Sequence, residues 1–168
     1  LYATNRYGLS AFDAGTLLIA QGVATVLLSV TVALMLRRTG YRLPLYAGGT
    51  AVAIGMLLLA VSPTLTGIPP HVWLMGATCL IGAGAGAVNP ASRNAGLQLA
   101  PEHSSTLAAL RSLSLQIGSI VTVSVATAVL TASDDPGGVH AWIYVVTALL
   151  LIAALPLIAR VPEHHGAW

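Results

Sequence analysis

Apolar residues run for about twenty positions at a time along this chain, broken by short stretches that gather the arginines, most of the prolines and the acids. A helix of that length crosses a hydrocarbon core of ~30 Å. The pattern predicts five spans, over about 14–36, 43–62, 72–97, 105–132 and 139–159, and so an all-α polytopic membrane bundle. The third span is the one the others are expected to pack around. Its centre holds Gly82, Gly84 and Gly86, with Asn89 and Pro90 a turn further on and Arg93 closing the run. Glycines spaced as Gly82 and Gly86 give a helix a flat side for a close neighbour. A polar Asn and a Pro at membrane depth need protein or water around them. Gly82, Gly84 and Ala87 also fit a G-x-G-x-x-A dinucleotide fingerprint, with Glu102 about 20 residues on. That fingerprint has meaning only between a strand and a helix, and here the apolar run continues through the glycines. The nucleotide reading is set aside.

Polar positions within the spans are few and patterned. Ser10 and Asp13 fit a variant capping box at the start of the first span, which makes Asp13 a cap rather than a proton carrier. Gln21, Thr25 and Ser29 recur every four residues as one polar stripe. The second span offers Thr50 and the Tyr46 phenol before its terminal Ser62. The fourth is the most polar: Ser112, Gln116 and Ser119 share a helical face, Gly118 lies near the middle as a further packing position, and Arg111 is two turns inside, where it can snorkel to the interface. The fifth carries Thr147 and a late Pro156, with Trp142 and Tyr144 placed for an interfacial belt. Ser and Thr can bond back to their own helix, but an unsatisfied Gln or Asn amide in lipid is costly. Spans one, three and four are therefore expected to share a polar interior. Gln21, Thr25, Asn89, Gln116 and Ser119 are its candidate lining, with Thr25, Gln116, Ser119 and the glycines near the midplane and Asn89 nearer one end.

Composition agrees with the pattern. The chain is 56% hydrophobic and 7% charged, with mean hydropathy +0.84, against about 25% charged residues for soluble domains. It reads as an integral membrane protein. All seven basic residues are Arg, and the net charge of +2 gives no case for nucleic acid. Arg37, Arg38, Arg42, Arg93 and Arg160 fall on one side, with Arg111 near it. The other side holds Asp134, Asp135, His71, His140 and Arg6. The positive-inside rule then places the N-terminus outside and the C-terminus in the cytoplasm of a cell (inner) membrane. Cys79 is alone, so an internal disulfide is impossible and a packing role is expected. His71, His103 and His140 sit in or beside connections, which leaves no enzyme-like constellation, and His164 and His165 belong to a short tail. No metal, cofactor or catalytic residue is expected. The chain begins with Leu1, on what reads as the end of a preceding element, and so is read as a fragment.

Four stretches together resemble the C-terminal half of a major facilitator superfamily transporter, most like its multidrug:proton antiporter branch. Residues 7–15, with Gly8, Ser10, Ala14 and Gly15, resemble the beginning of the family's eighth helix. Arg38, Gly40 and Arg42 resemble the second copy of its cytoplasmic loop motif. Gly82, Gly84 and Gly86 with Pro90 resemble the glycine-rich tenth helix, and Arg111 through Gln116 and Gly118 resemble the start of the eleventh. The resemblance covers the whole chain as helices eight to twelve. It implies alternating access around a midplane site, efflux of a small organic substrate coupled to protons, an N-terminal half elsewhere, and helices eight, ten and eleven facing the pore or domain interface. The loop motif usually has an acid before its first Arg, and Arg37 stands there instead. No acid lies in any span's interior, so a coupling carboxylate is expected in helices upstream. The alternative is a non-transporting five-helix assembly or scaffold subunit, complete in itself.

Overall fold

A computed structural model of the chain describes residues 7–63, 67–99, 101–133 and 135–161. Arg6, Asp134, His164, His165 and the side chain of Arg37 lie outside the described residues. Five long helices account for nearly all of the rest, and no strand occurs among the described residues: α1 (Ala11–Thr39), α2 (Arg42–Ala60), α3 (Pro70–Leu99), α4 (Ser104–Thr131) and α5 (Pro136–Ala154). All five are long and apolar enough to cross a membrane.

The helix ends follow local chemistry. Ser10 and Asp13 close a capping box: the Ser10 hydroxyl accepts from the Asp13 N–H at 3.1 Å, and the Asp13 carboxylate accepts from the Ser10 N–H at 3.3 Å. At the other end of α1, Gly40 takes φ 69° and ψ −172°, a region open essentially to glycine alone. Asp135 caps α5 by accepting from the Gly138 N–H at 3.0 Å, with Pro136 opening the helix. The α-helical part of α5 stops at Ala154, two residues before Pro156, and a 3₁₀ turn, Leu155–Arg160, finishes the span predicted as one helix over 139–159. Between α3 and α4 lies a second short 3₁₀ turn, Pro101–His103. α3 runs unbroken through Pro90, although that residue cannot donate to the Gly86 carbonyl.

α3 packs against α1 on one side and α2 on the other, and α2 in turn carries α5. Small residues make this possible. A Cβ on Gly84 would stand 2.5 Å from the Gly48 carbonyl oxygen, and one on Gly48 would stand 2.6 Å from that of Gly84. Gly55 fits in the same way over Ala77 and Ile81. Trp73 clasps the pair further along, its indole N–H donating to the Leu58 carbonyl at 2.8 Å. Two apolar clusters complete the packing. Leu17, Leu59, Leu74 and Ala77 form one, and Leu36, Tyr41, Ala91 and Ala95 the other. On α2, exposed Leu43, Ala47, Thr50 and Ile54 fall on one stripe by their spacing. Thr50 returns its hydroxyl to the Tyr46 carbonyl at 2.8 Å, so that stripe presents only hydrocarbon.

α4 is different. It touches α3 and α5 lightly and has no buried residue.

Candidate functional site

The polar stripe of α1 lies along the glycine face of α3. A Cβ on Gly82 would collide with the Gln21 carbonyl, and one on Gly86 with the Thr25 carbonyl and, at 3.1 Å, with the Leu28 Cβ and the Ser29 nitrogen. Gln21 and Thr25 are thus held half-buried at the seam between α1 and α3. The Thr25 hydroxyl donates to the Gln21 carbonyl at 2.8 Å, which satisfies it within its own helix. At one end of this seam the Thr16 hydroxyl stands 3.3 Å from His71 Nε2, joining the starts of α1 and α3.

Gln116 and Ser119 sit on α4 and are exposed. No hydrogen bond ties either to Gln21, Thr25 or Asn89 among the described residues. Gly118 has no neighbour to accommodate: a Cβ there would meet nothing within 4 Å. Gly82 and Gly86 thus lie against α1 in this structure, whereas no described helix lies opposite Gly118.

Asn89 finds a partner that the sequence reading assigned elsewhere. Arg111, expected to snorkel to the interface, reaches sideways to α3: its Nη2 donates to Asn89 Oδ1 at 3.2 Å and to Ser92 Oγ at 3.2 Å. Ser92 lies seven residues before the last residue of α3 and Arg111 seven after the first of α4, which at 1.5 Å per residue gives both a depth of about 10 Å from the same side. Next to this bridge a groove of about 370 Å³ opens between α3 and α4.

The loop between α1 and α2 is set by three residues. Gly40 turns the chain, and Tyr41 is fully buried against Leu36, Ala91 and Ala95. Arg42 Nε donates to the Val161 carbonyl at 2.8 Å, fastening the loop to the end of the last span. Burial pushes the Tyr41 phenol above its ordinary range. Arg38 is exposed beside this anchor.

No group of three or more His, Cys, Asp or Glu residues able to hold a metal occurs among the described residues. The bundle instead combines small-residue seams with polar helix faces. A family model described as Major Facilitator Superfamily matches residues 1–168, the whole chain. The chain belongs to the major facilitator superfamily. It is therefore a multi-pass membrane protein of a transporter superfamily. No curated protein and no solved structure matches it. Within this superfamily member, the sharp contrast between a glycine-packed α3 and an unpacked polar α4 is the feature on which a functional reading turns.

Proposed function

We propose that the five helices form the C-terminal part of a secondary carrier that works by alternating access and exports a small organic molecule in exchange for protons. The observation that carries this reading is the exposed polar face of α4. Ser112, Gln116 and Ser119 share one side of a membrane-length helix, and none of them is covered by a described helix. Side-chain amides facing lipid are unfavourable, so that side faces a water-filled path or another polar bundle. A further set of helices, packed over α4 and the polar flank of α1, would enclose the path near the midplane. Asn89 lies nearer the arginine-bearing, cytoplasmic side. Gly82 and Gly86 keep α1 close to α3 during rocking, and Arg38, Gly40 and Arg42 form the cytoplasmic gate loop.

Export and proton coupling follow from the resemblance to the antiporter branch. Asp13 is engaged in its capping box, so the coupling carboxylate belongs to helices outside these five. The test is uptake into everted membrane vesicles under an imposed proton gradient. Gln116→Leu should lower the initial rate by about tenfold, as expected when one buried hydrogen bond to substrate is lost, with the amount of protein in the membrane unchanged. Unchanged kinetics would remove Gln116 from the path. Uptake indifferent to the gradient would remove the proton coupling.

A further inference from the structure

We propose that the groove between α3 and α4 is an anion site, in which Arg111 and Arg93 hold the phosphate or carboxylate head of an amphiphile. The groove is lined by those two arginines, by Ser92, Ser104 and Ser112, and by apolar Leu97, Leu107 and Leu115, with no acid among its walls. Its fixed charge is therefore positive and unbalanced. Arg111 spends only Nη2 on protein acceptors, and both of these, Asn89 Oδ1 and Ser92 Oγ, are neutral. A guanidinium carries five N–H donors, so Nε and Nη1 remain for a ligand, in the fork geometry that suits phosphate and carboxylate oxygens. Of the described acids, Asp13 and Asp135 lie at the opposite ends of their helices, and Glu102 is exposed in the connection before α4, outside the groove wall.

The depth of Arg111 strengthens the inference. A guanidinium about 10 Å from the arginine-bearing end of a 28-residue helix sits near the edge of a ~30 Å hydrocarbon core, where an opposite charge or water must meet it. An anionic head would meet it there, while the apolar part of the same molecule lies along the leucines. The second groove on α4 makes a useful contrast. It lies against α5, has a volume of about 420 Å³, and is lined by Val121, Val125, Val129, Trp142 and other uncharged residues, so it offers nothing to an anion.

The head-group chemistry is shared by an anionic phospholipid and by a soluble amphiphilic anion, and the site lies on the arginine side of Gln116 and Ser119, sharing Ser112 with the polar face of α4. The full-length protein, purified in detergent with phosphatidylcholine, would be titrated with dioleoyl phosphatidylglycerol in one arm and octanoate in the other. Binding would be read by native mass spectrometry and by the shift in melting temperature. At least one of the two should bind saturably and raise the melting temperature; phosphatidylglycerol alone identifies a lipid site, and octanoate identifies a site open to soluble anions. Arg111→Gln should weaken that binding at least about tenfold, the loss expected for a charge-assisted hydrogen bond, and Arg93→Gln by a smaller factor. Arg160→Gln, an exposed charge removed outside the groove, should leave it unchanged. Melting in phosphatidylcholine alone would show that each variant is folded, with Arg111→Lys as a substitute if the glutamine variant is not. Equal binding by wild type and the Arg111 variant, or no preference for either anion over phosphatidylcholine, would overturn the proposal.

Discussion

α3 and α4 are both membrane-length helices, and both carry glycine and polar residues, yet they are used in opposite ways. On α3 the glycines are where other backbones arrive: Gly82 and Gly86 meet carbonyls of α1, and Gly84 meets Gly48 of α2. On α4 the single glycine, Gly118, faces open space, and no residue is buried. Between helices in a bilayer there is little hydrophobic drive, so association depends on close packing and polar contacts. α3 has that packing with α1 and α2. α4 touches α3 only lightly, with Arg111 making two hydrogen bonds across, and none of its residues is buried.

The largest effect expected from this contrast is at the seam. Gly82→Val places a branched side chain against the Gln21 backbone, which cannot rotate away. Overpacking of this kind destabilises by about 1–3 kcal/mol, occasionally more, and should lower the melting temperature and the membrane yield of the protein. The same change at Gly118 should stay within about 0.5 kcal/mol, as for other uncrowded surface positions. Comparable losses at the two sites would erase the distinction.

An effect of similar size but more local reach is expected at the loop that closes the packed side. Gly40→Ala forces a side chain into backbone space reserved for glycine, at a destabilisation of about 1–3 kcal/mol, and should loosen the bond between Arg42 and Val161. Hydrogen exchange in residues 37–42 should rise, while that of α4 should not change.

The smallest effect concerns alkaline stability. The raised ionisation of buried Tyr41 means that the unfolded chain loses its phenolic proton first. The stabilisation is complete below the ordinary tyrosine value of about 10 and is lost as pH rises through the higher folded-state value. Melting followed from about pH 8 to 11 should fall less steeply for Tyr41→Phe than for the wild type. Parallel curves would show that Tyr41 is not a buried anchor of the packed half.

Much of this was legible in the chain. Five spans follow from hydropathy, because a bilayer leaves little choice but uninterrupted helices. The capping box at Ser10 and Asp13 is a local pattern and needs no tertiary knowledge; Pro136 to Gly138, by contrast, form the first turn of α5, ahead of the span expected from 139. The Gly82 and Gly86 spacing announced a close neighbour. It did not announce which one, since the partner surfaces, the Gln21 and Thr25 carbonyls, are backbone and leave no mark on side-chain pattern. Thr25 drew notice as a polar residue, whereas its hydroxyl is bound within α1. Gly118 looked equivalent to Gly82 because spacing alone cannot show whether a second helix is present. The Arg111 bridge was hidden for a related reason: a long side chain near a helix end can turn to the interface or to a neighbour, and only the position of α3 decides between them.

Thiol labelling would test the difference between α3 and α4 most directly. Cys79 would be replaced by Ala, and single cysteines placed at Gln116 and Ser119 on α4 and at Gly86 on α3, in the full-length protein in membrane vesicles. A small, charged, water-soluble maleimide should label Gln116→Cys and Ser119→Cys, and a transported compound should slow that reaction, while Gly86→Cys stays unlabelled in the protein that folds. Failure of both α4 positions to react, with ready labelling at Gly86, would contradict the assignment of α4 to the water-filled path and of α3 to the packed axis.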